Sequence, residues 1–126
     1  ETNVAFFQSA RAKFPDLAEK ADRQHIKYWG ESPTEEQDSY SWFESVSRAL
    51  NYEMQREAYV KESQAFFQFV EGAFRTGSAE VKNCIDVAFV ENLFWEVSPK
   101  KAEPYWQALP QALQKLYVEF HARTPL

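Results

Sequence analysis

The chain has 126 residues, of which 44% are apolar, and its formal net charge is −5. This length supports one domain, residues 1–126, with a core that needs no disulfide or metal, and the apolar content excludes a disordered chain. Cys84 is the only cysteine, so an intrachain disulfide is excluded. No apolar stretch is long enough to cross a membrane and no signal-peptide pattern is visible, so we expect a cytoplasmic protein without a membrane partner.

The negative charge is concentrated in the middle of the chain. Residues 31–96 carry thirteen acidic and five basic residues, a net charge of −8, whereas both flanking segments are weakly basic. Because phosphate binding requires clustered Lys and Arg, nucleic acid is not an expected partner. Two interpretations of the acidic middle stay open, namely attraction of a basic protein and a solvated surface that keeps the protein soluble.

Aromatic residues make up 17% of the chain and include four tryptophans. One interpretation is a small helical core filled with large side chains, since aromatic rings are mostly buried. The other is that some rings are exposed at a binding surface, where Trp and Tyr are enriched.

Apolar residues recur at spacings of three and four and only three glycines occur, which predicts an all-α fold of about six helices. The first helix is predicted over residues 3–13, capped by Thr2 or Asn3. A second follows Pro15 with Asp16 as its cap and is closed by Gly30. After an acidic loop, the segment 32–35 matches a capping box and predicts the start of a third helix that continues to Leu50.

The fourth helix contains residues 59–74 and ends at Gly77. Ser78 is predicted to cap the fifth, residues 79–96, which is apolar nearly all round and is therefore expected to lie buried at the centre of the fold. A sixth runs from Pro99 to about residue 109, where Pro110 either kinks it or starts a further helix. These helices are expected to form a single compact bundle or a set of stacked helix pairs.

No pattern of catalytic or metal-binding residues stands out. Neither His25 nor His121 has a second ligand at metal-site spacing, and Asp22 with His25 is interpreted as a surface pair. Cys84 lies in the most apolar helix and is expected to be a buried structural thiol. Glu91 is either a general acid in a pocket or a structural carboxylate. We therefore expect no enzyme activity, no cofactor and no metal.

Three stretches carry a resemblance to a known family: Phe14-Pro15-Asp16-Leu17, Phe69-Val70-Glu71 to Gly77-Ser78-Ala79-Glu80-Val81-Lys82-Asn83, and Val87-Ala88-Phe89-Val90-Glu91-Asn92-Leu93. These stretches resemble the F-P-E-L, E-V-x-N and F-x-E-N-L elements of small bacterial helical domains without a settled activity. Members of that family look like the immunity proteins encoded beside secreted polymorphic toxins. The resemblance covers about two-thirds of the chain, and residues 94–126 have no counterpart in it.

The resemblance implies an inhibitor that binds and neutralises one toxin by direct contact in the cytoplasm of the producing cell. It also implies that the shared residues maintain the fold through the turn, the core and internal hydrogen bonds. The residues in question are Gly77, Val81, Asn83, Glu91, Asn92 and Leu93.

If the toxin is a nuclease, its basic active-site cleft would complement the acidic middle of the chain. Aromatic anchors surrounded by polar residues are typical of binding hot spots. The candidate contact residues are therefore Trp29, Glu31, Glu35, Glu36, Asp38, Tyr40 and Trp42, with Tyr105 and Trp106 as a second patch.

Three further possibilities stay open. A helical adaptor or scaffold domain would bind another protein or peptide, and an enzyme would use Glu91 or Asp86 in an unfamiliar pocket. An exposed aromatic patch would also serve as the interface of a homodimer.

Overall fold

A computed structural model describes residues 2–126 and confirms the all-helical fold, with no strand in this range. It has eight α-helices, because the predicted third helix is divided in two and Pro110 starts a separate final helix. The helices are α1 Asn3–Lys13, α2 Pro15–Trp29, α3 Glu35–Asp38, α4 Trp42–Gln55, α5 Val60–Thr76, α6 Ala79–Asn83, α7 Pro99–Ala108 and α8 Gln111–His121. No helix in residues 2–126 combines the length and the apolar character needed to span a membrane.

Local signals in the sequence account for the ends of α1 and α2. The Thr2 hydroxyl accepts a hydrogen bond from the Ala5 backbone N–H at 3.1 Å, which caps α1. Gly30 closes α2 in the left-handed region at φ 86°, as its sequence position predicts. The prediction that Asp16 caps α2 is wrong, because Pro15 is already helical and the Asp16 carboxylate instead accepts a hydrogen bond from the Tyr59 hydroxyl at 2.9 Å.

The predicted third helix is broken by a turn. The capping box over residues 32–35 does not form, and α3 is a single turn that begins at Glu35. The Asp38 carboxylate turns back to accept a hydrogen bond from the Thr34 backbone N–H at 2.8 Å. A turn over residues 39–41 then redirects the chain into α4.

The apolar segment predicted as one helix over residues 79–96 is buried but irregular. Ser78 caps α6 as expected, accepting from the Val81 N–H at 3.2 Å. The helix continues as a π-helical stretch over Cys84–Phe89 and a short 3₁₀ turn over Val90–Asn92, where it ends. Phe94 and Glu96 adopt left-handed backbone angles, so residues 93–98 form a loop and not the predicted end of the helix.

The helices pack around α4, which contacts α2, α7 and the continuation of α6 over Cys84–Asn92. In a linear stack each helix pair would contact only its neighbours, so the arrangement is a bundle. α2 lies antiparallel to α4, since Lys20 approaches Glu53 at one end and the Tyr28 ring lies under Arg48 at the other. Ring packing fills the core, as shown by the stacked rings of Phe6 and Phe43 at 4.4 Å.

Candidate protein-binding surface

Three of the aromatic residues predicted to contact a partner lie inside the core, so these predictions are wrong. Trp42 is 1% exposed because its indole N–H donates to the Asp22 carboxylate at 2.8 Å. Tyr105 is fully buried and its hydroxyl donates to the Ala58 carbonyl oxygen. Trp106, on α7, packs edge-on against the rings of Phe94 and of Tyr117, which lies on α8. The second predicted patch, Tyr105 with Trp106, is therefore absent from the surface.

Asp38 and Tyr40 are half-buried, and both make contacts within the fold. An Asp38 carboxylate oxygen lies 3.7 Å from the Nε2 atom of the buried His25, which holds α3 against the last turns of α2. Tyr40 packs against the core, and its carbonyl oxygen accepts from the Cys84 thiol at 3.9 Å. The predicted surface pair of Asp22 with His25 does not form, because Asp22 receives a bidentate ion pair from Arg11 at 2.7 and 2.9 Å.

The remaining predicted contact residues are exposed and lie together. Trp29 is 53% exposed at the end of α2, and Ile26, one turn earlier, is 43% exposed. We call Ile26, Trp29, Glu31, Glu35 and Glu36 the acidic edge. The contact between His25 and Asp38 holds α3 beside the end of α2, so the segment that carries the three exposed carboxylates follows directly from the helix end that carries Trp29.

The carboxylates of the acidic edge have no cationic partner. Within residues 2–126 no Lys, Arg or His forms an ion pair with Glu31, Glu35 or Glu36. Glu35 accepts one hydrogen bond from the Gln8 amide at 2.6 Å, which ties α3 to α1. The edge therefore presents negative charge on a backbone that is tied to α1 and α2, next to the exposed ring of Trp29 in the sequence.

A second surface, which the sequence analysis missed, lies in the groove between α2 and α4. We call it the basic groove and define it by five cations and two exposed rings: Lys20, Arg23, Lys27, Arg48, Arg56, Tyr52 and Trp95. The sequence does carry a signal for it. Lys20, Arg23 and Lys27 recur at helical spacing on α2, as do Arg48, Tyr52 and Arg56 on α4.

The acids proposed for an enzyme, Asp86 and Glu91, lie near each other and near Glu119, and Glu91 lines a cavity of about 260 Å³ together with Tyr117 and His121. Partial burial and, secondarily, Glu119 raise the pKa of Asp86 above its usual range, while burial and Asp86 raise that of Glu91. No hydrogen bond to either carboxylate is present in the described chain. The prediction that Glu91 makes internal hydrogen bonds through its side chain is thus wrong. Its carbonyl oxygen lies 3.1 Å from the His121 ring nitrogen instead.

The other residues of the shared motif divide between the core and the surface. Gly77, where α5 ends, lies close to the side chain of Val81, which is buried together with Leu93. The Asn92 amide donates to the Ala88 carbonyl at 2.8 Å, as an internal hydrogen bond requires. Asn83 is exposed and has no such contact, so its expected fold-maintaining role has no structural support.

The thiol of Cys84 is buried, and burial raises its pKa to about 12. A thiol in this state is protonated at neutral pH, which makes it a poor nucleophile. In residues 2–126 no three His, Cys, Asp or Glu side chains are placed to hold a metal ion.

Comparison with known proteins gives one match. No curated protein and no solved structure matches the chain. A family model described as "Domain of unknown function (DUF7674)" matches residues 7–123 and thus includes the segment after Leu93, which lies outside the resemblance noted in the sequence. Since this match covers nearly the whole chain, the protein belongs to the DUF7674 family, whose function is unknown.

Proposed function

We propose that this protein is an immunity protein, which neutralises a bacterial toxin by binding it directly. The observation that carries the proposal is the acidic edge, where the exposed Trp29 is followed in the chain by the exposed Glu31, Glu35 and Glu36, which have no ion-pair partner within residues 2–126. Binding hot spots favour Trp at their centre and polar groups around it. The resemblance of residues 69–93 to small bacterial helical domains that look like immunity proteins supports the same function.

The acidic edge is held in place before any partner binds. Gly30 ends α2, Gln8 binds Glu35, and Asp38 contacts His25, so the backbone of the edge is tied to both α1 and α2. A surface ordered in advance loses less conformational entropy on association. The free energy gained by burying Trp29 is therefore available for affinity.

A basic active-site cleft is the partner surface that best complements this edge. The clefts of nucleases concentrate Lys and Arg to hold phosphates. Carboxylates inserted there would pair with the same cations and exclude the substrate, while opposite charges would speed association. Neutralisation would then require only binding, without a chemical step on the immunity protein.

Co-expression with the product of the adjacent gene tests the proposal. Toxicity of that neighbour alone, restored growth in the presence of this protein, and a complex that co-purifies would support it. A harmless neighbour and no complex would count against immunity and favour an adaptor domain that binds another protein or peptide.

Charge-neutral variants test whether the acidic edge is the contact surface. The triple variant Glu31→Gln, Glu35→Gln, Glu36→Gln should slow association with the toxin and reduce the dependence of affinity on salt. The matched control carries Glu57→Gln, Glu62→Gln and Glu103→Gln, which remove the same charge from exposed sites elsewhere. Equal affinity and equal salt dependence for the two triple variants would remove the acidic edge from the account.

A further inference from the structure

The basic groove is a positively charged surface on a protein whose overall charge is −5. One half, nearest Lys20 and Arg56, has a volume of about 430 Å³, and the other, which ends at Trp95, about 300 Å³. The residues that line the groove include five cations and two carboxylates, Glu53 and Glu96. The groove therefore favours an anionic ligand, although the rest of the chain repels one.

Two of the five cations, Lys20 and Arg56, share one carboxylate, that of Glu53. The buried Glu53 carboxylate lies 3.6 Å from the Lys20 ammonium and 3.0 Å from the Arg56 guanidinium. Arg23 pairs with the exposed Glu19 one turn away at 2.7 Å, a contact that solvent weakens. These ion pairs hold the side chains of the groove in position and leave it with a net positive charge.

The other two cations, Lys27 and Arg48, have no carboxylate partner within residues 2–126. Arg48 is half-buried, with its guanidinium 3.9 Å from the centre of the Tyr28 ring, and its Nη1 atom is shielded from solvent without an acceptor. A partly buried charge without a counter-ion is unfavourable. A carboxylate that reached the exposed side of this guanidinium would supply the missing charge.

We propose that the basic groove binds an acidic segment of a partner protein, whose carboxylates pair with Lys27 and Arg48. The apolar side chains of that segment would contact Tyr52 and Trp95, which are 54% and 70% exposed. From Lys20 to Lys27 the groove extends about 10 Å, or two helical turns, which suits a short segment. The inference rests on the proposed function only in taking the partner to be a protein.

Charge complementarity favours a short acidic segment of a protein over nucleic acid. α2 carries three of the five groove cations and ends at Trp29, and the carboxylates of the acidic edge follow it in the chain. A long polyanion that left the groove in this direction would meet Glu31 and the net negative charge of the chain. A protein can instead present an acidic segment to the groove and a basic surface to the adjoining edge.

Fluorescence anisotropy with a labelled peptide tests the groove without the natural partner. The probe is a peptide in which Glu and Leu recur at helical spacing, compared with the same peptide carrying Lys for Glu and with an oligothymidylate. We expect the Glu peptide alone to bind, and the double variant Arg23→Gln, Lys27→Gln to weaken it by about tenfold. The control Lys61→Gln, Arg75→Gln removes one free and one paired exposed cation from α5 and should leave the affinity unchanged.

Trp95→Ala provides a second readout, since loss of an exposed ring at the end of the groove should weaken the Glu peptide without unfolding the protein. No anisotropy change with the Glu peptide, equal losses in the two double variants, or preferential binding of the oligothymidylate would each overturn the inference. None of these results depends on the toxin. Failure of the groove would therefore leave the immunity proposal intact, and failure of growth rescue would leave the groove intact.

Discussion

Asn51 holds the loop that presents Trp95, and its removal should cost the fold a measurable free energy. The side chain is 5% exposed and bridges two backbone groups of the loop. Its amide nitrogen donates to the Asn92 carbonyl and its oxygen accepts from the Phe94 N–H, both at 2.8 Å. Phe94 has a left-handed backbone at φ 67°, which is unfavourable for a side chain of this size without such support.

The variant Asn51→Ala deletes both hydrogen bonds and leaves the buried N–H of Phe94 without an acceptor. Each lost hydrogen bond should lower the free energy of unfolding by about 1 kcal/mol, and the buried N–H of Phe94 left without an acceptor should lower it by about 1 kcal/mol more, which gives about 3 kcal/mol in all. Urea denaturation at neutral pH measures this loss directly, provided that the slope of the unfolding free energy against urea concentration is the same in the variant and the parent protein. The control Asn83→Ala removes an exposed amide and should change the free energy of unfolding by less than about 0.5 kcal/mol. A loss below about 1 kcal/mol for Asn51→Ala would refute the assigned role.

Three further predictions concern the fold and its titratable groups. Gly77→Ala should lower the free energy of unfolding by about 1–3 kcal/mol in urea denaturation, because a Cβ there collides with the Ala73 carbonyl oxygen and lies 3.1 Å from the Val81 side chain. The control Gly72→Ala has open space around its Cβ and should instead raise the free energy of unfolding. The fold raises the pKa of Asp86, so the ionised carboxylate destabilises the folded protein at pH 7, and this cost disappears once the group is protonated. Asp86→Asn should therefore raise the thermal midpoint at pH 7 but not below about pH 4. An equal rise of the midpoint at both pH values would contradict this. The Cys84 thiol should resist iodoacetamide at pH 8 in the folded protein and react after urea unfolding, because burial raises its pKa to about 12. Rapid labelling of the folded protein would instead show that the thiol is accessible.

Local signals predicted several helix ends correctly because each depends on a few neighbouring residues, although the predicted Asp16 cap and the capping box over residues 32–35 do not form. Thr2, Gly30 and Ser78 mark helix ends through their own hydrogen bonds or backbone angles, and these hold in the structure. The loop after Asn92 was not predicted, because the apolar pattern continues through Phe94. The left-handed geometry there depends on Asn51, which lies 43 residues away in the sequence.

The candidate site was harder to predict because exposure depends on distant partners. Trp29 and Trp42 both lie among aromatic and acidic residues in the sequence, yet only the Trp42 indole donates a hydrogen bond within the fold, to the partly buried carboxylate of Asp22. The aromatic content divides between core and surface: Trp42 and Trp106 are buried, whereas Trp29 and Trp95 are exposed, and a binding role for the exposed rings stays a prediction. Averaging charge along the chain also concealed the basic groove, because its cations come from two separated helices.

The proposed immunity function requires that the acidic edge binds a toxin. Hydrogen–deuterium exchange on the complex with the adjacent gene product tests it most directly, because residues 30–34 lie between helices and their amides report local contact. We expect slower exchange over residues 26–38 in the complex than in the free protein, with α5 unchanged. Unchanged exchange over residues 26–38, with protection confined to other helices, would contradict the account.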